Sequence, residues 1–232
     1  MNVQGYQKLT LLDFPEHVAC TVFTGGCNLR CPFCHNASLV LKPREGANME
    51  EEVLSYLAGR KGILEGVCIT GGEPLLQPDL SDFVKQVKDM GYSVKLDTNG
   101  SDPDALAALL ATGNIDYVAM DVKGSPDRYE EAIGKAFPME RFQRSVEVIR
   151  ESGVPHEFRT TLVKGIHRPE DMEGIGKWLE GEEKYFLQAF VDSGNLLGSG
   201  FEAFTPEETK EFLCIIRTYI PAAKLRGQEE GE

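Results

Sequence analysis

The sequence predicts an α/β fold, specifically a partial TIM-type (β/α)6 barrel with a predominantly parallel sheet. Strand-like and helix-like segments alternate along the 232 residues in about six units, which is typical of parallel strands joined by right-handed crossovers. No linker-like, low-complexity or repeated segment interrupts this alternation, so we expect residues 1–232 to form a single domain. A doubly wound open sheet fits the same pattern. However, no G-x-G-x-x-G follows the first predicted strand, which disfavours a dinucleotide-binding fold.

The first unit starts with a nearly continuous apolar and β-branched run at residues 18–23, which predicts a buried strand. A cysteine-rich loop follows it. Asn48 is then predicted to open a helix, with Glu51 as its capping-box partner. Residues 67–70 form the second predicted strand, which ends in Gly-Gly.

The next two units follow the same logic. Residues 79–90 carry apolar side chains at helical spacing, and Gly91 ends that helix. Residues 92–96 are predicted to be a strand, and residues 102–110 a helix that begins with Asp-Pro. Residues 115–120 form the fourth predicted strand.

The rest of the chain continues the alternation, with Gly153 closing one helix and Pro169 opening another. The remaining predicted helices cover residues 140–150, 169–179 and 205–220, and the remaining strands cover 154–163, 185–191 and a short 222–225.

The composition fits a globular protein, because 41% of the residues are hydrophobic and 26% are charged. The formal net charge is −13, from 24 Lys and Arg against 37 Asp and Glu. Such an acidic surface repels phosphate, so we expect no general binding to nucleic acid or to anionic membranes. The longest uninterrupted apolar run, residues 105–111, is too short to span a bilayer, and the first residues do not resemble a secretory signal. We therefore expect a cytoplasmic protein.

Three of the six cysteines crowd into one short stretch, C-x3-C-x2-C, where three thiolates can converge on one metal centre. Structural zinc usually takes four ligands in two pairs, and the sequence offers no second pair. Iron–sulfur cubanes normally take four cysteines, so three would leave one iron open to a non-protein ligand. These three cysteines are Cys27, Cys31 and Cys34. The other three lie in apolar stretches and are expected to be buried: Cys20, Cys68 and Cys214.

Polar motifs follow four consecutive predicted strands. They are GGCNLRCPFCHN, GGEP, LDTNG and MDVK. In parallel α/β folds, ligands bind at the carboxyl ends of the strands, so these motifs predict a single site.

These motifs resemble those of the radical S-adenosylmethionine superfamily. Its hallmark is C-x3-C-x2-C with an aromatic residue before the last cysteine, the place that Phe33 takes, and GGEP at residues 71–74 matches its second motif. The resemblance implies that Cys27, Cys31 and Cys34 hold a 4Fe–4S cluster whose fourth iron binds S-adenosylmethionine. It also implies reductive cleavage of that cofactor to methionine and a 5′-deoxyadenosyl radical.

Each residue of GGEP has an expected role in that setting. Gly71 and Gly72 would let the backbone approach the methionine moiety closely, and their carbonyl groups would accept hydrogen bonds from its ammonium. Glu73 would supply a negative charge nearby, and Pro74 would fix the turn. Taken alone, the same four residues also fit a simple turn.

The four motifs in this order resemble the activases of glycyl-radical enzymes, which abstract a hydrogen atom from one backbone glycine of a large partner. In pyruvate formate-lyase activases, the Asp-Thr after the third strand and the Asp-x-Lys after the fourth surround the cofactor carboxylate. The resemblance gives that role to Asp97, Thr98, Asp121 and Lys123. It also suggests a monovalent cation that offsets the repulsion between carboxylates. The alternative for Asp97 is an Asx cap at the strand end.

Three further cofactor contacts follow from the resemblance. Arg159 lies in a predicted central strand without a solvated face, so it is expected to hold a carboxylate bidentately. Asn36 completes the family's Cys-His-Asn and is expected to form hydrogen bonds near the cluster. Gln188 stands near the end of the sixth predicted strand, where pyruvate formate-lyase activases have a histidine that contacts adenine. Three histidines are expected to be ordinary structural or surface residues: His17, His156 and His167.

Two departures separate this chain from the pyruvate formate-lyase activases. It lacks that histidine, and it has LDFP at residues 12–15 where those proteins carry Asp-Gly-Pro-Gly. The chain is more similar to the activating proteins of anaerobic ribonucleoside-triphosphate reductase, which share its QKLTLLDFP-like opening and KLDTNGS segment. No cysteine-rich ferredoxin-like insert is present, so one cluster is expected.

The resemblance also implies protein partners. The first is a glycyl-radical enzyme, an anaerobic ribonucleotide reductase in the leading hypothesis. The second is a flavodoxin or ferredoxin that donates electrons. Lys42 and Arg44 are candidates for the basic patch that an acidic donor would need. The alternatives are an activase of pyruvate formate-lyase or of another glycyl-radical enzyme, a small-molecule radical enzyme similar to 7-carboxy-7-deazaguanine synthase, and a non-catalytic metal-binding module.

Overall fold

The computed structural model describes residues 1–41, 43 and 49–227. The strands are β1 Val3–Thr10, β2 Ala19–Thr24, β3 Gly66–Gly71, β4 Ser93–Thr98, β5 Tyr117–Asp121, β6 His156–Leu162, β7 Tyr185–Ala189 and β8 Lys224–Arg226. The α-helices are α1 Ala37–Leu41, α2 Glu50–Ala58, α3 Leu80–Asp89, α4 Pro103–Leu110, α5 Tyr129–Ile133, α6 Met139–Ser152, α7 Pro169–Trp178 and α8 Pro206–Arg217.

The strands lie in one sheet in chain order, from β1 to β8. Strands β2, β3 and β4 pair in parallel, as do β6, β7 and β8, whereas β1 pairs antiparallel with β2. The predicted α/β fold with a predominantly parallel sheet is therefore confirmed. Strand β1 is missing from the sequence prediction because its sequence, VQGYQKLT, contains no apolar run. As a half-exposed edge strand, it is held by backbone pairing more than by side-chain burial.

The chain divides into two compact units. The first comprises Met1–Asn28, Ser38–Ala119 and Glu140–His156, and the second comprises Leu29–Ala37, Met120–Met139 and Glu157–Glu232. In the first unit the ring of Phe14 is buried beside Ala19 and Tyr117, so the LDFP segment contributes to the core. In the second unit, α7 packs against α8.

Two helix starts follow the capping rules that predict them. Asp102 Oδ1 accepts a hydrogen bond from the backbone N–H of Ala105 at 3.2 Å, at the start of α4. Thr205 and Glu208 form a capping box at the start of α8, with bonds of 3.2 and 2.8 Å. The predicted cap of α2, Asn48, lies outside the described residues.

The isolated cysteines are only partly placed as predicted. Cys20 and Cys68 are buried, but Cys214 is exposed, so the prediction for that residue is wrong. Its apolar neighbours belong to a helix whose buried stripe runs along another face. That stripe consists of Thr209, Phe212, Leu213 and Ile216.

None of the helices in the described part of the chain combines the length and the apolar character that crossing a membrane requires.

Candidate functional site

The residues that the sequence singles out fall into two groups, one in each compact unit. The first unit holds Cys27, Gly71, Gly72, Glu73, Pro74, Asp97 and Thr98. The second unit holds Cys31, Phe33, Cys34, Asn36, Asp121, Lys123, Arg159 and Gln188.

In the first unit, the Gly-Gly pair at the end of β3 packs on the backbone that leads into the cysteine loop. Gly71 has a φ of +112°, and a Cβ added to it would lie 2.5 Å from Thr24 N. A Cβ on Gly72 would lie 1.9 Å from Gly26 O. Backbone hydrogen bonds join the same segments, from Gly72 N to Thr24 O at 2.9 Å and from Glu73 N to Gly26 O at 2.8 Å. Close backbone packing therefore requires glycine here, in addition to any approach of a ligand.

Glu73 is buried, with 1% of its surface exposed, and its carboxylate connects the ends of β3 and β4. Oε1 accepts hydrogen bonds from the Thr98 hydroxyl at 2.8 Å and from Leu75 N at 3.1 Å. Oε2 accepts one from Asn99 N at 2.7 Å. Pro74 begins the short 3₁₀ helix that follows. The charge of Glu73 therefore serves to orient neighbouring groups of the chain.

Asn99 belongs to the LDTNG motif but is missing from the predicted site. Its Nδ2 donates hydrogen bonds to Cys27 Sγ at 3.6 Å and to Asn28 Oδ1 at 3.2 Å. Its Oδ1 accepts one from Ser101 N at 2.8 Å, so the Asx turn at this strand end is formed by Asn99. The motif signals this role, because a polar residue directly after a strand end can reach the neighbouring loop.

Asp97 forms an ion pair with Lys95, which lies two residues earlier on the same face of β4. The side chain of Lys95 is 1% exposed and that of Asp97 is 12% exposed. The sequence prediction does not include Lys95. A single buried lysine in an apolar strand carries no signal until its partner is known.

In the second unit, Asp121 accepts hydrogen bonds from two cationic side chains. Arg159 places Nε and Nη2 each 2.8 Å from Oδ1, and Lys123 places Nζ 3.0 Å from Oδ2. Burial favours the neutral acid, but the charges of Arg159 and Lys123 outweigh it and hold the pKa of Asp121 well below its usual range. Arg159 thus holds a carboxylate of its own chain.

A second pairing lies on the same face of β6. Glu157 is buried, and both of its oxygens accept hydrogen bonds from Arg226 at 2.8 Å. The Arg226 guanidinium also stacks 3.9 Å from the centre of the Phe186 ring. Gln188 pairs in register with Arg226, which places the two residues on the same face of the sheet.

The second part of the cysteine loop is tied to α5. Cys34 N donates a hydrogen bond to Cys31 O at 3.0 Å, and Arg30 N donates one to Ile133 O at 2.9 Å. Gly134 ends α5 with a φ of +69°, and a Cβ on it would lie 2.2 Å from Arg30 O. Gly134 therefore allows the loop to lie directly on the end of the helix.

Phe33 and His167 support the loop and the Asp-x-Lys segment. The Phe33 ring lies edge-on to the His167 ring, with the two centres 6.1 Å apart. His167 Nδ1 accepts a hydrogen bond from Val163 N at 3.0 Å, so its Nε2–H donates to Lys123 O at 3.0 Å. His167 is buried and has a structural role, which is one of the two roles that the sequence predicts for it. Asn36 lies in the turn before α1.

Two of the three cysteines have a group nearby that would stabilise a thiolate: Asn99 beside Cys27 in the first unit, and Lys123 acting on Cys31 in the second. Cys31 is buried, whereas Cys27 and Cys34 are partly exposed, and none of the three forms a disulfide. Asn99 donates a hydrogen bond to Cys27 Sγ. Burial lowers the pKa of Lys123, but the negative charges of Asp121 first and of Cys31 next raise it above its usual range. In the described residues no three Cys, His, Asp or Glu side chains are grouped to hold a single ion.

Comparison with known proteins places these features in a family. The sequence profile of the Radical SAM superfamily matches residues 21–179. A protein of Methanocaldococcus jannaschii, provisionally named a glycyl-radical enzyme activating enzyme, is 32% identical over 81% of this chain and 79% of its own. The pyruvate formate-lyase-activating enzyme of Clostridium pasteurianum is 29% identical over 70% of this chain and 68% of its own.

Solved structures share the fold. The crystal structure of Streptococcus suis SuiB bound to S-adenosylmethionine matches 88% of this chain with a TM-score of 0.68 and 16% sequence identity. The match covers 49% of SuiB, so this chain spans about half the length of that relative.

Proposed function

The chain belongs to the radical S-adenosylmethionine superfamily, and from that membership we propose that it is an activase that generates a glycyl radical on an anaerobic ribonucleotide reductase. The observation that carries the activase role is the similarity to the Methanocaldococcus jannaschii protein, which extends over four-fifths of both chains. The LDFP opening and the KLDTNGS segment favour the reductase as the partner.

In this proposal Cys27, Cys31 and Cys34 hold the single 4Fe–4S cluster of a one-domain protein. When bound, the cluster supplies the electron that cleaves the sulfonium of S-adenosylmethionine. The chain itself stabilises negative charge on two of the ligating sulfur atoms. Asn99 donates a hydrogen bond to Cys27, and the Lys123 ammonium acts electrostatically on Cys31.

The Asp-x-Lys segment supplies the charge that attracts the cofactor carboxylate. Lys123 and Arg159 together carry two positive charges, and Asp121 carries one negative charge. Glu157, 3.9 Å from Arg159 Nη1, adds a second negative charge, which its own partner Arg226 balances, so one net positive charge remains, and this suits a single carboxylate. Asp121 orients both cations and keeps them part-buried. We assign Glu73 a positioning role, since it fixes Thr98 and Asn99 at the end of β4.

We also propose the other contacts with S-adenosylmethionine that the sequence predicts. Gly71 and Gly72 present backbone carbonyl groups to the methionine ammonium, and Gln188 faces the adenine end of the cofactor. A flavodoxin or ferredoxin delivers the electron. Lys42 and Arg44, the candidates for its docking patch, lie outside the described residues.

Electron paramagnetic resonance tests the proposed reaction. The sample is the reconstituted, reduced protein under strict anaerobiosis, with S-adenosylmethionine and the anaerobic ribonucleotide reductase of the same cell. We expect the doublet of a glycyl radical on the reductase, and no doublet when S-adenosylmethionine is omitted. Cofactor cleavage without any glycyl radical on the reductase would contradict the proposed partner. A doublet on pyruvate formate-lyase would instead identify the protein as the activase of that enzyme. Turnover of a small molecule without a protein partner would identify it as a small-molecule radical enzyme.

Two separate cysteine variants, one of them a control, test the cluster assignment. Cys31→Ala should lose bound iron and cofactor cleavage together, because one iron loses its protein ligand. Cys214→Ala removes an exposed cysteine outside the loop and should leave both unchanged. Full cofactor cleavage by Cys31→Ala would contradict the ligand assignment, and bound zinc without iron or sulfide would favour a non-catalytic metal site.

A further inference from the structure

Lys95 is a lysine with its charged end inside the first unit. Its side chain is 1% exposed, and it lies in the middle of β4 between Val94 and Leu96, which are both buried. Its ammonium is paired with the Asp97 carboxylate and lies 3.9 Å from Cys68 Sγ. A buried ammonium is retained only when a carboxylate or comparable acceptors replace its hydration, so the two residues form one electrostatic unit.

The strand register explains why this lysine cannot reach water. In the parallel pairing of β2, β3 and β4, Thr21 is opposite Cys68 and Cys68 is opposite Lys95. The three side chains therefore form a row on one face of the sheet. Asp97 follows Lys95 by two residues and shares that face. The row thus directs the ammonium along the sheet to the carboxylate at the strand end.

The charge of Asp97 is therefore balanced within its own strand. A monovalent metal cation bound to Asp97 would have to share the carboxylate with Lys95. Asp121 accepts two cations, but its side chain is 32% exposed, whereas Lys95 is 1% and Asp97 12% exposed, so water screens the repulsion between two cations less at Asp97. The donor set at Asp97 thus does not fit the monovalent cation that the sequence resemblance suggests. The described residues of β4 already supply one positive charge at that place.

We propose that the Lys95 ammonium takes the place of a monovalent metal cation at Asp97, so that S-adenosylmethionine binding requires neither Na⁺ nor K⁺. This inference rests on the proposed function. Lys95 is a positioning residue: it neutralises and orients Asp97, and Asp97 in turn no longer repels the carboxylate of the cofactor.

The dissociation constant of S-adenosylmethionine, measured by anaerobic equilibrium dialysis on the reconstituted protein, tests the inference. The buffers contain NaCl, KCl or choline chloride at equal ionic strength. For the unmodified protein we expect the three constants to agree within about twofold. For Lys95→Met we expect a constant raised by about tenfold or more in choline chloride and partly restored by Na⁺ or K⁺, which can then approach Asp97. Iron per chain should not change.

The matched control is Lys85→Met, which removes an exposed lysine paired with Asp89 on α3 and should behave as the unmodified protein. Binding by the unmodified protein only with Na⁺ or K⁺ would overturn the inference and leave the proposed function intact. This salt series remains decisive even if Lys95→Met does not fold. Unchanged affinity of a folded Lys95→Met in choline chloride would also overturn the inference. Absence of binding in all three salts would overturn the proposed function with it.

Discussion

Replacing Glu73 by glutamine tests whether this carboxylate is part of the fold or only a ligand of the cofactor. Its Oε1 accepts two hydrogen bonds, from Thr98 and Leu75, and its Oε2 accepts one from Asn99 N. A glutamine that keeps its oxygen at the Oε1 position retains the first two bonds. Its NH₂ group then faces the N–H of Asn99, and two donors meet in a buried place.

The expected cost follows from these contacts. One hydrogen bond to a charged acceptor is lost and one buried N–H is left without an acceptor, at about 2–3 kcal/mol in the free energy of unfolding. With a urea dependence of about 2–3 kcal/mol per molar, the unfolding midpoint should fall by roughly 1 M. Because Asn99 also donates a hydrogen bond to Cys27 Sγ, the variant should retain less iron than the unmodified protein.

Urea unfolding followed by circular dichroism, together with iron analysis, measures both effects. Glu140→Gln is the matched control, since Glu140 is exposed in the first turn of α6. It should change the free energy of unfolding by less than about 0.5 kcal/mol. If Glu73→Gln is as stable as this control and only its affinity for S-adenosylmethionine falls, the positioning role of Glu73 is refuted.

Two further predictions concern the second unit and the glycines. Gly134→Ala should destabilise the protein by at least about 1 kcal/mol more than Gly113→Ala and should lower its iron content. Both glycines have a φ near +70°, but only Gly134 lies against the cysteine loop; equal urea midpoints would contradict this reasoning. Burial alone would raise the pKa of Asp121, but its cationic neighbours hold it low. Its ion pairs therefore stabilise the fold above the ordinary aspartate pKa, and this stabilisation is lost as the pH falls through the lowered value. Arg159→Met should shift the loss to higher pH in melting curves from about pH 7 to about pH 3, whereas the exposed Arg144→Met should not. Identical pH profiles would contradict the pairing.

Local sequence signals predict most of the fold. Regular apolar runs predict β2 to β7, and caps predict the starts of α4 and α8 through contacts within a few residues of the chain. Strand β1 and the short helices α1 and α5 are missing from the prediction, and the predicted burial of Cys214 is wrong. Backbone pairing with β2 stabilises β1, and the direction of the buried stripe of α8 exposes Cys214. The apolar or polar character of the neighbouring residues reveals neither the pairing of β1 nor the exposure of Cys214.

The sequence alone predicts which residues carry the chemistry, because cysteines in C-x3-C-x2-C and polar residues after strands are rare enough to stand out. The contacts of those residues became visible in the folded chain. It paired Asp97 with Lys95, Asp121 with Arg159, and Glu73 with the backbone of the next strand end. The pairings of Asp121 and Glu73 depend on how neighbouring strands are aligned, and all three depend on burial, which removes water from the charges. Spacing along the chain does not encode either quantity.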